Sequence, residues 1–400
     1  MSQALPTGRI STLFSEGFRV FFLSAAIYAI IAIVIWLGWL AVHAAGGAFT
    51  YVPFAPPPSQ WHAHEMIFGY GGAVVAGFFL TAVPNWTGSA PSRSTYVTTL
   101  ATIWFFGRVV MLLSSEIPAL LVMALDVIFI PILSFNVLAN LLKRPKPQNM
   151  MFMVLLGMLT IGNLMVHFEW TGITSDTAPA GLRLGLLTLA SMIAVLGGRI
   201  TPGFTRNAMT RKGIETGLPV TRRSFDLAGV ASAILLAILV AVGAPEPALA
   251  IVALIAALAN AARLAGWRTR AILDQPILWS LHLAFAMLVA GYAALACAWA
   301  GFGITETAAL HLIAIGAVGG MTLAVMTRAA LGHTGRPLVV AGPIAAAYIL
   351  MALTALVRSI ALTLAPDHYF TVMFVSGGLW IAVFAIFISI YAPIVTGSRT

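Results

Sequence analysis

The sequence has very little charge and almost no cysteine. Only 8% of its 400 residues are charged, and Cys297 is its single cysteine; an average soluble domain carries about 25% charged residues. One cysteine excludes an intramolecular disulfide, a four-cysteine iron–sulfur cluster and covalent haem attachment through a CxxCH motif. Any metal would therefore depend mainly on histidine, carboxylate, methionine or backbone ligands.

Long apolar runs are what the sequence has in abundance. Hydrophobic residues make up 60% of the chain and the mean hydropathy is +0.98. A membrane span needs roughly 20 mostly apolar residues, and only helices or closed barrels satisfy the backbone in lipid. Because the runs are continuous and not alternating, the sequence predicts an all-α integral membrane protein, with residues 1–400 forming a single transmembrane domain.

Twelve of these runs are predicted to be transmembrane helices in one bundle. The predicted spans are residues 20–45, 62–85, 95–114, 117–142, 149–169, 179–199, 224–243, 246–264, 276–300, 304–328, 337–360 and 368–392. Lys and Arg are concentrated in every second connection and near both chain ends, whereas the alternate connections lack them. The positive-inside rule therefore places both termini in the cytoplasm.

The connection over residues 200–223 is the longest predicted soluble segment. It is basic and contains Gly and Pro, and we interpret it as a cytoplasmic topology anchor near anionic membrane lipid; a partner-binding role is the alternative. The net charge of +9 reflects such loops, so nucleic acid is not an expected partner. The polar start over residues 1–19 predicts no cleavable signal peptide.

Histidines within or beside the spans are the main candidate ligands, because ionisable groups are costly in lipid. The stretch "WHAHEM" puts His62, His64 and Glu65 at the outer start of the second span. In a regular helix His62 and Glu65 share a face, so the two histidines would chelate one metal only where the helix unwinds. His282 and His311 lie deeper, and imidazole commonly binds haem iron and copper. The other histidines are interpreted as wet side chains at helix ends: His43, His167, His333 and His368.

Other polar residues inside or near the spans have two possible roles. They are Glu65, Arg108, Asp126, Asn136, Asn163, Arg183, Arg199 and Arg358. One role is interhelical hydrogen bonding and ion pairing, for example between Arg108 and Asp126. In the other, arginines such as Arg108 and Arg199 bind haem propionates, while carboxylates orient histidine ligands or carry protons.

Several motifs in order resemble the NnrS family, bacterial inner-membrane proteins tied to nitric-oxide stress. They are "HAHEMIFGYGGAVVAGFFLTAVPNWTG" (62–88), "GGRITPGFT" (197–205), "WSLHLAF" (279–285) and "HLIAIGAVGGMTLAVMTRAALGHTGRPL" (311–338). The resemblance implies a twelve-helix inner-membrane protein that carries haem b and copper. It implies these ligand candidates: His62, His64 and Glu65 from the first motif, His282 from the third, and His311 and His333 from the fourth.

Depth along the helices suggests how the candidates divide. His311 with His64 or His62 is the expected haem-ligand pair, and His64 is favoured because it lies deeper than His62. His282 is about 10 Å further in, so either it serves a second cofactor or the predicted boundary of the ninth span is wrong by a turn or two. Gly316, Gly319 and Gly320 form a small-residue surface near His311 that admits a neighbouring helix or a flat macrocycle.

Three functions remain open at this stage. The first is a haem or haem–copper oxidoreductase that reduces nitric oxide to nitrous oxide with electrons from membrane quinol. The second is a haem protein that binds, senses or protects against nitric oxide without turnover. The third is a secondary transporter, for which twelve spans are common, although no internal repeat is visible. Membership of the haem–copper oxidases is not supported, because the sixth and seventh spans lack histidine.

Overall fold

The computed structural model describes residues 8–399 and is helical throughout, with 79% helix and no strand over that range. Twelve helices are long and apolar enough to cross a membrane. They are α1 (Gly17–Ala44), α2 (Pro58–Thr87), α3 (Ser94–Leu112), α4 (Ala119–Leu141), α5 (Pro147–Trp170), α6 (Ala178–Arg211), α7 (Arg223–Ala241), α8 (Glu246–Ala265), α9 (Pro276–Trp299), α10 (Glu306–His333), α11 (Gly342–Leu364) and α12 (Pro366–Thr396). The predicted all-α fold with twelve spans is confirmed, and the cytoplasmic position of the termini stays a prediction.

The polar start that predicts no signal peptide falls partly on residues 1–7, which lie outside the described residues, as does Thr400. Among the described helix ends, three differ from the predicted ends in a way that affects candidate residues. Helix α2 begins at Pro58, four residues before the predicted start, so His62 and His64 lie further from its end. Helix α6 continues past residue 199 to Arg211, so the first half of the predicted 200–223 loop is helical. Helix α10 continues to His333, which closes the helix and does not lie in the following loop.

The extension of α6 is held by its own side chains. Thr205 contacts His282 through its hydroxyl at 2.8 Å, and Arg206 donates a hydrogen bond of 2.8 Å to the Pro219 carbonyl oxygen. Pro202 sits inside this helix, where it removes one backbone donor. These tertiary contacts explain why the Gly/Pro punctuation does not end the helix at residue 199.

The chain divides into two compact units. Unit 1 contains the chain through Gly185, residues Arg328–Pro337 and the chain from Phe384 onward; unit 2 contains Leu186–Thr327 and Leu338–Val383. Three of the four unit boundaries fall within α6, α10 and α12, so each of these helices contributes residues to both units.

Unit 2 has a buried arginine that ties three of its helices together. Arg263 of α8 donates hydrogen bonds to Asp226 of α7 at 2.7 Å, and to the Ala194 carbonyl of α6 and the Asn260 side chain at 2.8 Å each. Gly198 leaves the space that the guanidinium occupies. The guanidinium of Arg263 therefore links three helices of unit 2 by interhelical hydrogen bonds and an ion pair.

Helices α5 and α6 come very close in unit 1 where glycines face one another. A Cβ atom added to Gly162 would lie 2.9 Å from the Gly181 carbonyl oxygen and 3.2 Å from the Gly185 backbone nitrogen. Backbone atoms cannot rotate aside as a flexible side chain can. Gly162 directly precedes Asn163 in α5. This close approach of the two helices therefore also fixes the position of Asn163, which bonds Asp126 and His64.

Gly162→Ala is expected to lower the free energy of unfolding by about 1–3 kcal/mol, the usual cost of overpacking. The matched control is Gly157→Ala on the same helix, because nothing lies within 4 Å of its added Cβ. That control is expected to be neutral or to stabilise by up to about 1 kcal/mol through helix propensity. Denaturant unfolding in detergent measures both, and equal effects of the two substitutions would contradict the packing described.

Candidate metal centre

The site begins at a π-helical turn in α2. Pro58 starts the helix, a position where proline is favoured because its missing N–H is not needed, and the buried Trp61 anchors it by donating to the Met111 carbonyl at 3.3 Å. From Glu65 to Gly71 the helix widens into π geometry, which is rare and is often found at functional sites. The Gly69 carbonyl in this turn accepts a hydrogen bond of 2.9 Å from Trp104.

This wider turn directs His64 and Glu65 into the same buried cluster. Both side chains are fully buried, and His64 Nδ1 lies 2.8 Å from Glu65 Oε1. The expectation that His64 points away from Glu65 assumed regular α-helical spacing, and the π turn removes that assumption. The helix widens without unwinding, and His62 remains outside the cluster.

Glu65 is held by two residues from other helices. Arg108 of α3 donates from Nη1 to both carboxylate oxygens at 2.7 Å, and the Tyr28 hydroxyl of α1 also donates to Oε2. Gly69 makes this possible, because a Cβ there would lie 2.7 Å from Arg108 Nη1 and 2.8 Å from the Tyr28 ring. Glu65 is thereby fixed as an acceptor for His64 Nδ1.

Asp126 of α4 completes the cluster on the other side. Its Oδ1 accepts a hydrogen bond from Arg108 Nη2, which confirms the predicted pairing of these two residues. Its Oδ2 lies 2.9 Å from His167 Nε2, 3.2 Å from His64 Nε2 and 2.9 Å from the amide nitrogen of Asn163, which donates to it. The Asn163 Oδ1 atom lies 2.8 Å from His64 Nε2.

Three of these residues offer the geometry of a metal site. One ligand atom each from His64, Asp126 and His167 lie within 4.8 Å of one another, and all three residues are buried. Two imidazole nitrogens and one carboxylate oxygen suit copper, iron or zinc. The cluster also has the outer support that metal-binding histidines normally have, a carboxylate on the other ring nitrogen, here Glu65 on His64 Nδ1.

The carboxylates of the cluster outnumber its guanidinium groups by one. Glu65 and Asp126 are two buried carboxylates, and Arg108 is the one guanidinium that bonds to both. With neutral histidines, one negative charge remains in a region of low dielectric constant, where an uncompensated charge is expensive. A metal ion or a proton on histidine offsets it. The charge of the cluster is therefore compatible with a bound cation, and its geometry could hold one.

The other ligand candidates in unit 1 lie elsewhere. His62 stacks on Trp36 of α1, with ring centroids 4.9 Å apart and planes 15° apart. His333 packs against Phe18, with centroids 5.6 Å apart. Neither joins His64 in the cluster, and metal binding by either residue stays a prediction.

The candidates in unit 2 are also separate from one another. His282 is buried, with Thr205 Oγ1 2.8 Å from Nε2 and Thr269 Oγ1 2.9 Å from Nδ1. His311 Nδ1 lies 2.7 Å from the Thr307 carbonyl oxygen one turn earlier. Arg199 is exposed on α6. Their roles as cofactor ligands stay predictions.

The glycine surface near His311 is filled by protein. Added Cβ atoms at Gly316 and Gly319 would lie 2.9 Å from Met287 and 2.8 Å from Trp380. Of the two possibilities left open for this surface, close helix packing is the one observed. Haem binding near this surface stays a prediction.

Two members of the site were assigned other roles from sequence. His167 was interpreted as an interfacial side chain, and Asp126 only as a partner of Arg108 or as a carboxylate that orients ligands. Depth along the predicted spans did not bring them together, because from the predicted outer ends His64 and His167 lie about 3 Å deep and Asp126 about 14 Å deep.

Comparison with known proteins agrees with the resemblance noted in the sequence. The family model described as NnrS protein matches residues 12–399, nearly the whole chain. A search of curated proteins finds no match. The matched region includes all twelve spanning helices and every residue of the cluster. The chain therefore belongs to the NnrS family and is a multi-pass membrane protein of the nitric-oxide response.

Proposed function

We propose that this protein is a bacterial inner-membrane metalloprotein that binds nitric oxide at a copper ion held by His64, Asp126 and His167. The observation that carries the proposal is the buried group of two histidines and one aspartate with its carboxylate support. Nitric oxide is small, neutral and soluble in lipid, so it reaches an intramembrane metal without a polar channel.

The residues present fit a copper ion. Imidazole is a good copper ligand, and His64 Nε2 and His167 Nε2 both face Asp126 Oδ2. Zinc has no redox chemistry, whereas bound copper supplies a redox-active centre for nitric oxide. Copper is also the metal, besides haem iron, that the resemblance implies.

The surrounding residues orient the ligands and hold the charge. Glu65 fixes the ring of His64 through Nδ1, and Arg108 fixes both Glu65 and Asp126. Asn163 donates to Asp126 and so directs Oδ2 toward the histidines. Because all of these groups are buried, water is largely excluded and the electrostatic attraction for a cation is strong.

Haem b is implied by the family and is proposed separately. His311 would be the residue that holds the haem iron, because donation from Nδ1 to the Thr307 carbonyl puts the lone pair of the neutral ring on Nε2. The glycines beside His311 do not form the cradle, since neighbouring side chains occupy that space.

The enzymatic form of the proposal is nitric oxide reduction. Two nitric oxide molecules and one quinol would give nitrous oxide, water and quinone, with electrons from membrane quinol. Binding without turnover is the alternative form. Continuous nitrous oxide formation in the presence of a quinol analogue supports the reductase, and a single stoichiometric uptake of nitric oxide supports binding alone.

The test is metal and haem analysis of the protein purified in detergent after growth with ample copper and haem supply. We expect about one copper per chain, a b-type haem by pyridine haemochrome, and a spectral change on addition of nitric oxide. A protein that contains neither copper nor haem and that leaves nitric oxide unbound contradicts the proposal.

A further inference from the structure

A second group of buried polar residues lies in unit 2, around His282, and is separate from the metal cluster. Its members come from α6, from α9 and from the connection between α8 and α9. We call it the Trp267 site and define it as Thr201, Thr205, Trp267, Thr269 and His282. All but Thr269 are less than 3% exposed.

The hydrogen bonds of His282 fix its protonation pattern. Thr205 donates its hydroxyl proton to the Thr201 carbonyl at 3.0 Å, so its oxygen accepts from His282 Nε2–H at 2.8 Å. The other ring nitrogen then accepts from the Thr269 hydroxyl at 2.9 Å. His282 is thus a neutral ring fixed between two threonines, which makes it a positioning residue.

Two hydrogen-bond donors in the site form no hydrogen bond with any described residue. The indole Nε1 of Trp267 and the hydroxyl of Thr201 are buried and have no hydrogen-bond partner among residues 8–399. Their residues are 0% and 1% exposed. A buried polar group without a partner costs about 1–3 kcal/mol, and a ligand that accepts hydrogen bonds from both groups would offset that cost.

Helical spacing places Thr201 on the face of α6 that packs against the two α9 residues that Trp267 contacts. Gly197, Thr201 and Thr205 share one face of α6 at a spacing of four residues. Gly197 faces Phe285 and Thr205 bonds His282, so Thr201 lies between these two contacts with α9. Trp267 packs on both α9 residues, with ring centroids 4.4 Å from Phe285 and 5.7 Å from His282.

The chain is strained where it enters the site. Arg268 has a φ of +61°, which is uncommon for a residue other than glycine. This conformation turns the backbone so that Trp267 and Thr269, on either side of it, both reach His282. Strain of this kind tends to persist at functional sites.

We propose that the Trp267 site binds the headgroup of a membrane quinone, with one quinone carbonyl oxygen accepting from Trp267 Nε1–H and the Thr201 hydroxyl. The two unused groups are donors on neutral side chains, so a neutral acceptor oxygen fits them. The charged side chain beside the site, Arg263, lies 5.6 Å from the Phe285 ring centroid and already bonds to Asp226, the Ala194 carbonyl and Asn260. This proposal rests on the proposed function, because a nitric oxide reductase needs an electron donor and membrane quinol is the donor proposed for it.

The test is binding of 2-heptyl-4-hydroxyquinoline N-oxide, a quinol analogue whose fluorescence is quenched on binding, to the purified protein. Wild-type protein is expected to bind one molecule saturably. Trp267→Phe and Thr201→Val are each expected to weaken binding about tenfold, as loss of one hydrogen bond predicts. Melting temperatures of the variants are measured alongside, to show that they remain folded.

Matched controls come from the same helices. Thr188→Val removes a hydroxyl that is equally buried and without a partner on α6, and Trp299→Phe removes a buried indole at the far end of α9. Both are expected to bind the analogue as wild type does. Equal affinity in all variants, or a wild type that does not bind saturably because the site holds a buried water only, overturns the proposal.

Failure of this proposal can be told apart from failure of the metal centre. Copper-depleted wild-type protein is expected to keep its full affinity for the analogue, since none of the residues of the Trp267 site belongs to the metal cluster. Normal metal content without analogue binding refutes the quinone site alone.

Discussion

Replacing Arg108 by leucine is expected to lower the free energy of unfolding by about 3–5 kcal/mol, the usual cost of removing one partner from a buried ion pair. Arg108 is only 6% exposed and bonds to both Glu65 and Asp126. Without it two carboxylates remain in the interior with no guanidinium between them. Denaturant unfolding in detergent, followed by tryptophan fluorescence, measures the effect.

Two comparisons separate charge from side-chain loss. Arg93→Leu removes an exposed arginine just before α3 and is expected to change stability by less than about 0.5 kcal/mol. The triple variant E65Q/R108L/D126N removes all three charges and is expected to regain part of the lost stability. If Arg108→Leu alone is as stable as wild type, the charge pairing described here is wrong.

His64→Ala is expected to reduce copper from about one per chain to less than a tenth of that value after dialysis. The substitution removes one of three ligands and leaves the Glu65 carboxylate without its histidine partner. Glu65→Gln should have a smaller effect, a 10–100-fold loss of metal affinity, because supporting residues usually contribute that much. Metal analysis and competition with a chelator measure the two effects.

His43→Ala is the matched control for the loss of a histidine near the same predicted side of the membrane. His43 Nδ1 bonds the Trp39 carbonyl at 2.9 Å, and the residue is not part of the cluster. Its copper content is expected to equal that of wild type. If the His64→Ala variant retains as much copper as wild type, His64 is not a copper ligand.

Most of the fold was predictable because each span is a long apolar run and hydropathy alone locates it. The end of α6 was not predictable in this way, since Thr205 and Arg206 act through tertiary contacts that span hydropathy does not record. The pairing of Arg108 with Asp126 was predictable, because opposite charges inside neighbouring spans have few alternatives to each other.

The composition of the site was predictable only in part. His64 and Glu65 were recognised, but the π turn that brings them together reads in sequence as an ordinary apolar helix, "EMIFGYG". His167 was missed because one histidine near a helix end is typical of an interfacial side chain. Its partner Asp126 is 41 residues away along the chain, and only the packing of α4 on α5 shows that they meet.

Copper K-edge X-ray absorption of the purified protein, before and after addition of nitric oxide, is the decisive experiment for the proposed copper centre. We expect two imidazole nitrogens and one oxygen at about 2.0–2.2 Å, by analogy with other first-row metal sites, and a new short ligand after nitric oxide is added. A copper site dominated by sulfur, or one unchanged by nitric oxide, would contradict a nitric-oxide-binding centre at His64, Asp126 and His167.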